Sequence, residues 1–265
     1  MTLLAAAVAG RGLVDPAGAV YRADDEALLR GSAAFETLPV YGGRPFGLGP
    51  HVDRLRFSAA RLGLPSVDGC EELALLVAGV APDCVLRLYR TEFDLVATGA
   101  APPPDLEEVR ARGLAVRIVE TGNPLGLLAG VKSTSYAFAF TARREAAAVG
   151  ADDVVFTGGG LVLEAATANI WWRRGEVLFT PSTGAGVLPG VTREAVRSLA
   201  AGLGYEVREG AFPLADLLGA DEAFETSSIR EVVPVVTVDG AVVGDGGGGP
   251  AAGRLQEALR LLSRP

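Results

Sequence analysis

The chain has 265 residues, 49% hydrophobic and 21% charged, with a formal net charge of −8; this is enough apolar sequence for one large domain or two small ones and excludes a wholly disordered chain. Its only two cysteines, Cys70 and Cys84, exclude a disulfide scaffold and make a reducing, cytoplasmic compartment the default. An isoelectric point near 4.9, with no run of Lys and Arg interleaved with aromatics, argues against nucleic-acid binding.

Residues 3–9 are apolar, but no basic segment precedes them and Arg11 and Asp15 follow soon after, so a first strand is expected rather than a signal peptide. Nowhere is there an unbroken apolar run of the roughly 20 residues that a membrane-spanning helix needs, and a soluble protein is expected. Residues 33–40, followed by Tyr41-Gly42-Gly43-Arg44, predict a strand, a tight turn and a short return strand. Over residues 50–62, Val52, Leu55, Ala59 and Leu62 recur at spacings of three and four, with Pro50 near the start and Gly63 and Pro65 beyond the end; this predicts a helix with a clear stop. A second helix is predicted over 71–80, a long strand or hairpin over 84–98, and a strand over 114–120 that closes the first half. Breaker residues over 121–126 suggest an interdomain linker. The second half then starts just before Lys132, at a strand-to-helix junction where Ser133, Thr134 or Ser135 caps a helix running to Gly150. Short strands are predicted at 153–157, 161–163, 168–172 and 177–180, a helix from Thr192 to about Gly202, strands near 205–208, 222–226 and 232–238, and a last helix over 252–262. Helices alternate irregularly with hairpins, which favours an α+β plan of two domains, 1–120 and 127–265, over a doubly wound parallel sheet.

The rare residues carry the chemistry. Lys132 is the sole lysine among 24 basic residues. Arginine replaces lysine almost everywhere on a surface, but a guanidinium stays protonated and cannot attack a carbonyl. A lysine that survives such replacement is therefore a candidate covalent nucleophile. The sole histidine, His51, excludes multi-His zinc sites, and no Gly-x-Ser-x-Gly elbow supplies a nucleophile for it; it reads as a helix-start residue making local hydrogen bonds. Cys70 and Cys84 form no Cys-x-x-Cys pair and read as small core residues.

Six segments in order resemble one family: residues 30–37 (RGSAAFET), 51–55 (HVDRL), 131–133 (VKS), 164–170, 186–193 (GVLPGVTR) and 231–235 (EVVPV). The chain is similar over nearly its whole length to the fold-type IV pyridoxal-phosphate enzymes, the class IV aminotransferases, which include branched-chain and D-amino-acid aminotransferases and aminodeoxychorismate lyase. The resemblance implies an α+β, two-domain fold with pyridoxal 5′-phosphate between the domains, and a homodimer. It also implies that Lys132 carries the cofactor as a Schiff base and moves protons, and that Glu164 keeps the pyridine nitrogen protonated. Arg54, Val191 and Thr192 at a helix entry, and Ser228 with Ile229 are implied to hold the phosphate, and Tyr136 to touch the phenolic oxygen. Arg61 reads as a surface residue.

Departures from the family pattern concern the surroundings. Ala165, Ala166 and Ala168 stand where the family often has Gly and Ser, Arg30 where many relatives have Tyr, and Ser32-Ala33 where they continue with Asp-Gly; residues 88–94 lack the usual Thr-Arg-Gly turn, so no carboxylate trap carries over from there. Substrate contacts are implied for Arg30, which would attract a second carboxylate or stay a surface cation, and for Phe35; Trp171 and Trp172 are expected to pack in the core. The implied reaction is amino transfer between an amino acid and a 2-oxo acid. Its alternatives are the lyase reaction that leaves pyruvate and 4-aminobenzoate, and a binding protein of the same fold without turnover.

Overall fold

Two patterns that predict local structure, the alternation over residues 34–40 and the three-and-four spacing around Leu55, open the fold. The computed structural model describes residues 2–121 and 126–263. The chain divides into two units, residues 1–104 with 131–136, and residues 105–130 with 137–265.

The first unit holds β1 (Leu3–Val8), β2 (Gly12–Val14), α1 (Glu26–Arg30), β3 (Ala34–Tyr41), β4 (Arg44–Pro45), α2 (Leu48–Arg61), α3 (Cys70–Val80), β5 (Cys84–Arg90) and β6 (Leu95–Ala100). Its antiparallel sheet has the order β2-β1-β6-β5-β3-β4. Gly42 and Gly43 join β3 to β4 with φ of 54° and 79°, a pair of left-handed positions that side chains resist. Of the two forms predicted over 84–98, a long strand or a hairpin, the structure shows the hairpin, β5 and β6, turned at Thr91, whose Oγ1 accepts from the N–H groups of Phe93 and Asp94. Val52, Leu55 and Ala59 of α2 and Leu73, Ala74 and Val77 of α3 pack with Leu38, Leu86 and Leu88. Cys70 and Cys84 are buried free thiols in this core, as expected.

The second unit holds α4 (Leu106–Arg112), β7 (Leu114–Glu120), α5 (Ala137–Ala148), β8 (Asp153–Gly158), β9 (Leu161–Ala165), β10 (Asn169–Arg174), β11 (Val177–Pro181), α6 (Val191–Ala200), β12 (Glu206–Gly210), α7 (Leu214–Leu218), β13 (Glu222–Ser227), β14 (Glu231–Val238), β15 (Ala241–Val242) and α8 (Pro250–Ser263). Its sheet has the order β12-β11-β10-β13-β14-β7-β8-β9, with β15 on β14. The β7 pairings with β8 and β14, and β11 with β12, are parallel; the others are antiparallel. Trp171 and Trp172 are wholly buried, stacked on Phe224 and Phe179, so they pack the core as the sequence predicts. Among the described residues, no helix is long and apolar enough to cross a membrane.

Two expectations change. The strand over 114–120 does not close the first half: β7 lies between β14 and β8 in the second unit's sheet, so the division falls after Pro104. Residues 122–125 of the expected linker lie outside the described residues. Lys132 does not sit at a helix start either. Residues 131–136 return to the first unit, where Ser133 bridges Ala34 antiparallel, and the helix begins only at Ala137.

Candidate active site

The sole lysine is placed by backbone pairing. The Phe35 N–H donates to the Lys132 carbonyl (3.1 Å) and the Thr134 N–H to the Ala33 carbonyl (2.9 Å), which aligns residues 132–134 against the start of β3. The Lys132 N–H donates to Ser58 Oγ at 3.0 Å, so α2 fixes the same segment from its other edge. Half-buried, the side chain ends with Nζ 4.7 Å from the Phe35 ring centroid and 3.5 Å from Tyr136 Oη. The aromatic wall continues through Tyr136 edge-on to Phe35 (5.4 Å), Tyr89 stacked on Phe35 (6.2 Å) and Tyr21 edge-on to Tyr89 (6.3 Å). Burial pushes the Tyr21 and Tyr89 phenols up, with Arg87 opposing the shift at Tyr89. Among the described residues Lys132 forms no ion pair with a carboxylate. An amine that lies against ring faces rather than on a carboxylate is not tied up in an ion pair and is placed to meet a carbonyl.

Beside it α2 presents a buried polar stripe, His51, Arg54 and Ser58, at spacings of three and four. Glu36 meets it from β3, where it shares the inward parity of Ala34, Leu38 and Val40. Arg54 donates from Nε to Glu36 Oε1 (2.7 Å) and from Nη2 to Oε2 (2.8 Å), and His51 Nδ1 lies 2.7 Å from Oε2. Burial works against the Glu36 charge, but the hydrogen bonds and charge of Arg54, then those of His51, outweigh it and hold the carboxyl at about 2. Burial drives the His51 pKa down, against Glu36 and with the charges of Arg54 and Lys132. A neutral imidazole facing an ionised carboxylate must carry its proton on Nδ1, so His51 donates to Glu36. His51 lies in the first turn of α2, as expected, and to its local contacts the structure adds a partner fifteen residues away, Glu36 on β3.

In the second unit Glu164, half-buried near the end of β9, accepts through Oε2 from the Leu188 N–H (3.0 Å) and from Asn169 Nδ2 (3.3 Å). Asn169 also donates to the Leu188 carbonyl at 2.9 Å, tying the carboxylate to the loop that enters α6. A Cβ at Gly190 would come within 2.0 Å of Asn169 Oδ1; only glycine permits this approach. Gly190 is the N-cap of α6 and supplies no side-chain cap, so the first-turn N–H groups, starting with those of Val191 and Thr192, present a positive helix end. Ala165, Ala166 and Ala168 are buried, which suits small side chains there. Ser228 and Ile229, both half-buried, form the turn between β13 and β14.

The structure thus gathers Lys132, Tyr136, Arg54 and Phe35 in the first unit, and Glu164 with Asn169, Val191 and Thr192 in the second. Arg30 is exposed at the end of α1 and pairs with Glu26, and Arg61 is exposed as expected. Glu36, Ser58 and Arg110 escape the sequence reading, and Asn169, though inside the 164–170 motif, is given no role there. The inward parity of Glu36 and the 51/54/58 spacing are the signals for the first two; Arg110 has no local signal.

Each unit holds donors of the kind that pyridoxal 5′-phosphate takes: an amine for the aldehyde and an arginine for a phosphate in the first, a carboxylate for a pyridinium nitrogen and an uncapped helix end for a phosphate in the second. The amino-transferase class IV family profile matches residues 33–238. Putative branched-chain-amino-acid aminotransferase from Methanocaldococcus jannaschii is 32% identical, over 93% of this chain and 92% of that protein. Aminodeoxychorismate lyase from Bacillus subtilis is 28% identical, over 90% and 86%. Branched-chain-amino-acid aminotransferase-like protein 2 from Arabidopsis thaliana is 27% identical over 90% of this chain, which spans only 47% of that longer protein. Among solved structures, a hypothetical aminotransferase from Mycobacterium tuberculosis in its PLP-bound form superposes with a TM-score of 0.87 at 26% identity, over 98% of this chain and 99% of that one. With the family profile covering most of its length, this chain belongs to the class IV aminotransferases, a family that uses pyridoxal phosphate.

Proposed function

We propose that the protein transfers an amino group between an amino acid and a 2-oxo acid, with Lys132 as its catalytic residue. The observation that carries this reading is the placement of the chain's sole lysine, half-buried against Phe35 and Tyr136 and paired with no carboxylate among the described residues. Pyridoxal phosphate, when bound, supplies an aldehyde that condenses with amines and a ring that accepts electrons from a substrate carbanion. Lys132 would hold the aldehyde, and its Nζ, freed when a substrate amine takes its place, would carry the proton from the substrate Cα to the former aldehyde carbon, the shift that amino transfer requires. Glu164 keeps a proton on the ring nitrogen, in an orientation set by the Leu188 N–H and Asn169. Arg54, oriented by Glu36, the first-turn N–H groups of Val191 and Thr192, and Ser228 with Ile229 bind the phosphate. Tyr136 meets the phenolic oxygen, and Phe35 with Tyr89 forms an apolar wall for the substrate side chain. Arg30, paired with Glu26, takes no substrate role in this reading. The protein acts as a cytoplasmic homodimer, and light scattering checks its oligomeric state.

A second reading is lyase chemistry, release of pyruvate from aminodeoxychorismate to leave 4-aminobenzoate; the Bacillus subtilis relative, 28% identical over 90% of the chain, favours it. Both readings use Lys132 and Glu164 alike. Amino acids added singly to the pyridoxal-phosphate form should discharge its visible absorbance and yield the matching 2-oxo acid. Formation of 4-aminobenzoate with no response to any amino acid would select the lyase. No response to either overturns both readings.

A further inference from the structure

We propose that Arg110, on α4, is a positioning residue for the 227–230 turn, holding its backbone in the arrangement that receives a phosphate. This rests on the placement of the cofactor phosphate at Ser228 and Ile229 proposed above. Arg110 is nearly buried, with 7% of its side chain exposed. It donates from Nε to the Arg230 carbonyl (3.0 Å) and from Nη2 to the Ile229 carbonyl (2.7 Å), and Nη2 also lies 3.0 Å from Glu231 Oε2. One guanidinium therefore spans two successive carbonyls of the turn and the side chain that follows them. The Arg230 N–H, on the opposite side of the Ile229 peptide, donates to Ser227 Oγ at 3.3 Å.

Glu231 shows that this arrangement works against a local preference. Its φ is +61°, in the left-handed region that costs a non-glycine residue about 1–3 kcal/mol. Buried to 3% exposure, it is held by Arg110, by Arg260 Nε at 3.1 Å and by Gln256 Nε2. The turn is anchored from within as well. The Arg230 guanidinium reaches Glu225 (3.2 Å), Asp153 and Thr167 Oγ1 (3.3 Å), and Thr167 lies on the loop between Glu164 and Asn169. A backbone fixed in this way presents its N–H groups to an anion without paying for reorganisation when the anion arrives.

The test compares two ligands that differ only in the phosphate. Full-length protein freed of cofactor, wild type, Arg110→Met and Arg110→Lys, is titrated with pyridoxal 5′-phosphate and with pyridoxal, and Kd is read from the visible absorbance change. Wild type should prefer the phosphorylated ligand. Arg110→Met should lose about tenfold or more of its affinity for it while its pyridoxal affinity stays within about twofold. Arg110→Lys, which keeps the charge opposite Glu231 but lacks the planar fork, should fall between, and it decides the question if the Met variant does not fold. Equal losses for both ligands, or no loss, overturn the positioning role while the phosphate assignment stands. A wild type that binds the two ligands equally overturns the phosphate assignment and the inference with it.

Discussion

Glu36→Gln removes one charge from the most enclosed part of the site and changes almost nothing in shape. Glu36 has no exposed surface, and both of its oxygens are engaged, by Arg54 and by His51. Its carboxyl is held at about 2 against an ordinary 4.5, a difference equivalent to about 3 kcal/mol of stability at neutral pH. Because the folded pKa is depressed, that contribution is present above 4.5 and is lost as the pH falls toward 2. The amide leaves Arg54 buried without its counter-charge, and removing one partner of a buried pair typically costs about 3–5 kcal/mol. Urea unfolding of wild type and variant should therefore differ by about 3 kcal/mol at pH 7, and the difference should shrink to about 2 kcal/mol at pH 3.5 as the carboxyl of the unfolded wild-type chain takes up its proton. Arg54 should also lose its alignment, so the variant should bind pyridoxal phosphate more weakly. A stability difference below about 1 kcal/mol at pH 7, or one that does not change with pH, would refute the reasoning.

Glu225 should behave in the opposite sense. Burial, then the charge of Asp153, pushes it up to about 8, against the charges of Arg230 and Arg143. Its folded pKa is raised, so wild type loses stability as the pH rises from the ordinary carboxyl value through about 8. Glu225→Gln should match wild type near the lower end of that window and melt about 3 °C or more higher above its upper end; a constant difference in Tm across the window would contradict this. Ser58→Ala leaves the Lys132 N–H without its acceptor and should cost about 1–3 kcal/mol in urea unfolding; a neutral effect would remove Ser58 from the placement of Lys132. Gly190→Ala drives a methyl into Asn169 and should weaken pyridoxal-phosphate binding in a direct titration; unchanged affinity would mean that the loop yields without consequence.

Where local pattern decides structure, the sequence was readable. Apolar spacing and the bracketing Pro50 and Gly63 placed α2 to within two residues of its observed span, Leu48–Arg61, and Gly42-Gly43 placed the β3–β4 turn. The short helices α1, α4 and α7 span only five to seven residues, too few for a helical period to show. The assignment of β7 failed because its partners are parallel strands distant in sequence, β8 and β14, and non-local pairing leaves no mark on the segment itself. Residues 131–136 were misread for the same reason: their place is set by hydrogen bonds to Ala33, Phe35 and Ser58. Arg54 lies off the apolar stripe of α2 and would be read as a surface residue. Glu36 buries it, and Glu36 sits inside because a two-residue period puts it on the core face of β3. In the second unit, Glu164 and Asn169 were legible as parts of an ordered motif. The arginine that braces the 227–230 turn was not, because Arg110 lies more than a hundred residues before that turn.

The most direct test of the central claim is to reduce the purified, yellow-loaded protein with borohydride and locate the adduct by peptide mass mapping, with Lys132→Ala treated in parallel. The expected result is a visible absorption band that reduction abolishes, a phosphopyridoxyl group on the peptide containing Lys132, and neither band nor adduct in the variant. A wild-type protein that takes up no pyridoxal phosphate, or a Lys132→Ala variant that keeps the band, would contradict the assignment of Lys132 as the residue that carries the cofactor.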